Sequence, residues 1–157
     1  MFRPPAHFVF SHPAHVVALG FGAGLAPVAP GTVGTLLGWA IGWLLGEAGF
    51  ILLAALFFFL AGLWACEITG RHLGAHDHGA MVWDEVVAFL LVIAIIPSEL
   101  AWQLAAFVLF RFFDIVKPPP IRHFERRYGN GFGVMFDDLV AAAYTLLVLA
   151  LARRLFS

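Results

Sequence analysis

A chain of 157 residues that is 62% hydrophobic and only 12% charged is too oily for an ordinary soluble domain, where roughly 45–50% is apolar. Its mean hydropathy of +0.92 predicts one membrane domain spanning residues 1–157. A net charge of -1 gives no broad basic field, so no nucleic-acid partner is expected, and the single cysteine, Cys66, excludes an intrachain disulfide or a multi-cysteine metal site.

Residues 1–12 and the proline that follows them contain Pro4, Pro5 and Pro13, which predicts a surface arm leading into a short helix from about Pro13 to Phe21. No cleavable leader is expected, so insertion would rely on internal segments. The stretch from Gly20 to Thr35 is rich in glycine and holds Pro27 and Pro30, so it reads as an irregular loop. Such backbone is tolerated near membrane depth where it lines a cavity.

An apolar run from Thr32 or Val33 to Leu45 follows, then a turn at Glu47-Ala48-Gly49, then a charge-free run from Ala48 to Cys66. At about 1.5 Å per residue that run reaches roughly 28 Å, near the thickness of a hydrocarbon core. Glu67 and Arg71, four apart, suit an intrahelical ion pair at its end. Val86–Ile96 and Leu100–Phe110, broken by Pro97-Ser98-Glu99, read as a helical hairpin. Arg122, His123, Arg126 and Arg127 suggest the basic face of an interfacial helix. A last helix starts near Phe132 and runs apolar from Leu139 to Ala152 before Arg153-Arg154. The expectation is an all-α, multihelical membrane bundle with four or five short spans and its polar loops gathered at one end. The basic residues of that end place it in the cytoplasm by the positive-inside rule.

The polar residues are concentrated in His76-Asp77-His78-Gly79-Ala80-Met81-Val82-Trp83-Asp84-Glu85. Asp84 and Glu85 open an apolar helix, where carboxylates either mark a site or complement the helix dipole. With Asp114, Asp137 and Asp138 they offer enough oxygen for one or two Mg²⁺ ions. Asp137 and Asp138 alternatively stabilise a helix start. His76 and His78 flank Asp77 in loop geometry and suit metal binding, phosphate donation, acid–base work or plain solvent exposure. Gln103, Arg111 and Asp114 share a helical face that Lys117 continues, either as a wall of the site or as an Arg111–Asp114 ion pair with Lys117 snorkelling outward. Gly31, Thr32 and Thr35 form either an anion cradle or, at Thr32, a simple helix cap.

Taken in order, Pro30-Gly31-Thr32-Val33-Gly34-Thr35, His76-Asp77-His78-Gly79 with Val82-Trp83-Asp84-Glu85, Phe110-Arg111-Phe112-Phe113-Asp114 with Lys117-Pro118, and Gly133 with Asp137-Asp138 resemble the phosphatidylglycerophosphatase A family from about His15 to Leu151. The resemblance implies a Mg²⁺-dependent phosphatase of the bacterial inner membrane. Its substrate would be phosphatidylglycerophosphate, and its products phosphatidylglycerol and phosphate. Candidate catalytic residues are then His76, Asp77, His78, Asp84 and Lys117. Phosphate would meet Gly31, Thr32, Thr35, Arg111 and Lys117, and metal would meet Asp84, Glu85, Asp114, Asp137 and Asp138. Cys66 and Arg71 are one residue too close for the loop of cysteine phosphatases, and the Asp-x-Asp of haloacid-dehalogenase phosphatases is absent. A metal-activated water is the preferred route. A phosphatidyltransferase lacks its required Asp-Gly-x2-Ala-Arg pattern here. A cation transporter with a carboxylate-lined pathway is the alternative from another class, though it would spread its carboxylates along the spans.

Overall fold

Proline and glycine punctuate the apolar runs, and each run folds as a helix between them. The computed structural model describes residues 3–119 and 129–156. Helix α1 is Ala6–Val9, α2 is Pro13–Ala18, and a 3₁₀ turn covers Gly20–Leu25. Then come α3 (Pro30–Leu45), α4 (Ala48–Leu73), α5 (Trp83–Ile95), α6 (Leu100–Val116) and α7 (Gly131–Phe156). There is no strand among the described residues. The basic segment with Arg122, His123, Arg126 and Arg127 lies outside them.

Helix α5 is the central post. It packs against α3, α4 and α7, while α6 packs on α7. Its buried residues include Trp83, Asp84, Val86, Phe89 and Val92, so every side of it is covered. By contrast Trp43, Leu44, Leu53, Phe57, Val108, Leu147 and Leu155 point outward, an apolar exterior suited to lipid. Among the described residues two helices, α4 and the Gly131–Leu155 stretch of α7, are long and apolar enough to cross a membrane.

The packing of α3 on α5 depends on glycine. A Cβ at Gly34 would stand 2.7 Å from Val82 Cβ, at Gly38 2.6 Å from the Val86 carbonyl oxygen, and at Gly42 2.9 Å from Ile93 Cγ2. Spaced by four, these residues form one ridge that lets the backbones meet, as small residues do between membrane helices.

The helix ends have identifiable causes. His12 caps α2 by accepting from the Ala14 amide at 3.1 Å. Gly74, with φ of 69°, ends α4. Asn130 Oδ1 accepts from Gly133 N at 3.1 Å, and Glu67 of α4 accepts from Gly131 N at 2.8 Å, which fixes the start of α7. Glu67 also forms the expected pair with Arg71, at 2.6 Å.

Two expectations differ locally. The N-terminal segment is more than a surface arm, because Val9 is buried and α2 packs on α4. Its anchor is His15, whose Nδ1 lies 3.0 Å from the Phe8 carbonyl oxygen and whose Nε2 lies 2.8 Å from His72 Nδ1. A carbonyl only accepts, so Nδ1 carries the proton and Nε2 accepts from His72. Thr32 is not the cap of α3. Ala29 occupies that position in a left-handed conformation, and Pro30 begins the helix.

Candidate active site

The successive helices reverse direction, so the start of α3, the loop after α4, the start of α5, the end of α6 and the first turns of α7 meet at one end. There they enclose a chamber of about 270 Å³. The glycine-rich segment reaches it at Ala29, and the first residues of α3, Pro30 and Gly31, line it as well.

Asp84 and Glu85 from the first turn of α5 meet Asp138 from the second turn of α7. One oxygen of each lies within 4.8 Å of the others. Asp84 and Asp138 are buried. Asp84 Oδ1, Glu85 Oε2 and Asp138 Oδ2 are buried with no hydrogen-bond partner among the described residues. Three crowded carboxylates with orphaned oxygens carry a large desolvation and repulsion cost unless a cation joins them. The donor set is all oxygen, which fits a hard divalent cation such as Mg²⁺.

Arg111 and Lys117 line the same chamber. Arg111 Nη1 lies 3.6 Å from Glu85 Oε1 and forms a close ion pair with Asp114. It also donates to Thr35 Oγ1 at 3.5 Å, while the Thr35 hydroxyl donates to the Gly31 carbonyl at 2.9 Å. Lys117 Nζ lies 3.6 Å from Asp137 Oδ2 and 3.9 Å from Asp77 Oδ2. Lys117 precedes Pro118, which disfavours helical backbone before it, and it takes a left-handed φ of 45°. Ala29, which also lines the chamber, has a φ of 47°. Left-handed backbone at non-glycine residues costs on the order of 1 kcal/mol and gathers at functional sites.

The anticipated carboxylates therefore come together, but in two groups. Asp84, Glu85 and Asp138 form the trio, while Asp114 and Asp137 face Arg111 and Lys117. Lys117 and Gly31 line the chamber with Asp77, whereas Thr32, His76 and His78 do not. Thr35 is buried and joins Arg111 from behind. Asp137 and Asp138 lie beyond the first turn of α7, too deep to complement its start. His76 is exposed, and the buried His78 accepts the Ala80 amide at Nδ1, 3.2 Å away.

Gln103 belongs elsewhere. Its Oε1 accepts from both Trp39 Nε1 (2.6 Å) and Trp43 Nε1 (3.2 Å), and its Nε2 donates to the Ser98 carbonyl. Eight residues before Arg111, it lies about 12 Å further along the axis. Chamber residues that side-chain chemistry does not reveal include Met81 and Val134. They are apolar wall, and only their neighbours in sequence hint at them.

Fold and site together define a helical, membrane-associated protein with an acidic, cation-suited chamber at its polar end. The family model for phosphatidylglycerophosphatase A matches residues 16–153, and the chain belongs to that family. It is 51% identical over 143 residues to phosphatidylglycerophosphatase A of Haemophilus influenzae, covering 87% of this chain and 86% of the relative. It is 37% identical over 142 residues to that of Escherichia coli, covering 88% and 83%. A Bacteroides thetaiotaomicron protein with the provisional name phosphatidylinositol-3-phosphatase is 38% identical over 148 residues, covering 88% and 92%. No solved structure matches.

Proposed function

We propose that the protein hydrolyses phosphatidylglycerophosphate to phosphatidylglycerol and inorganic phosphate, using Mg²⁺ held by Asp84, Glu85 and Asp138. The observation that carries this reading is the trio of carboxylates with orphaned buried oxygens, beside Arg111 and Lys117, in a chain of this family. Among the described residues the chamber is lined by six carboxylates and those two cations, an excess of negative charge that would repel a phosphate dianion entering alone.

A divalent cation held by Asp84, Glu85 and Asp138 would supply charge neutralisation for the phosphoryl oxygens and would make a water more acidic. The chain's own residues do the rest. Lys117, at the chamber wall on strained backbone, acts as a point charge on the terminal phosphate. Arg111 orients Glu85 and Asp114 and holds Thr35 behind them. Asp77, with a side chain 46% exposed, takes the proton of the attacking water at Oδ2 and returns one to the glycerol oxygen as its bond to phosphorus breaks.

The outward apolar side chains of α3 and α6, such as Leu44 and Val108, support insertion of the shorter helices beside α4 and α7. In this reading four or five helices are embedded in the bacterial inner membrane, and the chamber opens to the cytoplasm. A transport pathway is less well supported, because the carboxylates gather at the helix ends around one chamber. Phosphate release from the lipid, with and without Mg²⁺ after exhaustive chelation, tests the proposal. Full turnover in the stripped protein would remove the metal from it, and no release under any condition would remove the phosphatase.

A further inference from the structure

A second chamber abuts the first. It has a volume of about 260 Å³ and is lined by Arg3, Gly24, His78 and Ala80, and it shares Pro30 and Gly79 with the acidic chamber. Its construction is specific. A Cβ at Gly24 would stand 1.8 Å from the Ala80 carbonyl oxygen, so the 3₁₀ turn can press against the loop ahead of α5 only with glycine there.

The two chambers differ in charge. Among the described residues the lining of the second contains no carboxylate, and it presents donors from Arg3 and His78. Arg3 donates one guanidinium nitrogen to the Pro27 carbonyl, leaving further N–H groups of its fork. The Ala80 amide donates to His78 Nδ1, so the neutral imidazole bears its proton on Nε2. No hydrogen bond from Nε2 is made among the described residues. The His-Asp-His motif is thus divided, with Asp77 lining the acidic chamber and His78 the neighbouring one.

The proposed substrate carries two phosphates, a terminal monoester and a bridging phosphodiester, joined through one glycerol unit. In the acidic chamber Arg111 already faces Glu85 and Asp114, and Lys117 already faces Asp77 and Asp137. Among the described residues, both cations of that chamber already have acidic partners, and the diester's negative charge calls for another. We infer that the chamber between Arg3 and His78 is a second oxyanion subsite, which takes the bridging phosphodiester while the terminal phosphate occupies the acidic chamber. This inference rests on the phosphatase reading. It makes Arg3 and His78 specificity residues, which select lipids that have a phosphodiester between the acyl chains and the scissile phosphate.

The test uses the full chain in detergent with short-chain lipids, comparing wild type with Arg3→Gln and His78→Gln. Three quantities are read: KM for phosphatidylglycerophosphate, the inhibition constant of phosphatidylglycerol, which carries the diester alone, and that of inorganic phosphate. A charge-assisted hydrogen bond of ordinary strength makes a difference of about tenfold. Arg3→Gln, at an exposed position, is expected to raise the first two about tenfold while kcat and phosphate inhibition stay within twofold. His78→Gln should act in the same direction, and if it does not fold, Arg3→Gln decides alone. An unchanged KM and phosphatidylglycerol inhibition would overturn the subsite. Weakened inhibition by inorganic phosphate alone would mean that the chamber takes free phosphate, which also overturns it. If the wild type releases no phosphate from the lipid, the phosphatase reading fails, and direct calorimetric binding of phosphatidylglycerol to wild type and Arg3→Gln still tests the subsite.

Discussion

Arg111, near the end of α6, places Nη1 3.6 Å from Glu85 Oε1 at the start of α5, and the same nitrogen meets Asp114 and Thr35. One guanidinium thus ties together three helices, because Thr35 belongs to α3. All three contacts are made by the one terminal nitrogen at the tip of the side chain. Arg111→Lys keeps the charge and is expected to lower turnover at least about tenfold, since the lysine stem ends one atom short of the Nη1 position and its compact, strongly hydrated ammonium does not reach Glu85 and Thr35 together. Steady-state assays with circular dichroism as a folding control check this, and wild-type turnover would show that charge alone suffices.

The carboxylate trio and Lys117 should separate in a Mg²⁺ titration. Asp84→Asn or Asp138→Asn is expected to reduce turnover about 10²-fold or more, with residual activity displaced to higher Mg²⁺. Lys117→Ala should weaken activity while leaving the Mg²⁺ concentration for half-maximal rate unchanged. Normal behaviour of Asp84→Asn at limiting Mg²⁺ would remove that residue from the ligand set.

Gly38 offers a stability test remote from any charge. A valine there puts atoms against the Val86 carbonyl, where even a Cβ would stand at 2.6 Å. Overpacking of this kind costs about 1–3 kcal/mol. Gly38→Val should lower the unfolding temperature in detergent, whereas Gly49→Ala, with open space around its Cβ position, should leave it nearly unchanged.

The His15–His72 contact predicts a pH dependence for docking of the N-terminal segment. Burial pushes the His15 imidazole below its ordinary value, the hydrogen bond to Phe8 opposes this, and His72 and His12 add to the lowering. The unfolded chain therefore binds more protons, and stability from this group rises with pH. It is fully present above the ordinary histidine value near 6.5 and is lost as pH falls below that value through the depressed one. Hydrogen exchange of α1 and α2 should accelerate as pH drops through this window, after correction for intrinsic rates. His15→Phe should remove the dependence, and an identical pH profile in that variant would assign it to another group.

Much of the site was readable because its chemistry is rare in so apolar a chain. Asp84, Glu85, Arg111 and Asp138 stand out wherever the helices run, and alternating helix direction is enough to bring their ends together. Gln103 shows where helical periodicity falls short. It lies on the same broad helical face as Arg111, but a shared face carries no depth, and the axial rise sends it to the two tryptophans. His78 fails for another reason: within one turn, neighbouring side chains diverge into different cavities, and only backbone conformation decides which. The His15–His72 contact joins residues 57 apart in sequence, with no periodic signal linking them.

The glycine ridge of α3 has a mechanical consequence. At Gly38 helices α3 and α5 meet with no compressible side chain between them, so the separation of their axes there acts as a hard stop. Gly31 sits on the same helix, and a Cβ there would stand only 2.2 Å from Glu85 Oε1. The width of the acidic chamber at that wall is therefore gauged by contacts well below it, at Gly38 and Gly42, roughly 10–16 Å along the helix at its usual rise. Enlarging either glycine would act as a shim, tilting α3 outward and opening the gap beside Glu85 without touching a charged residue.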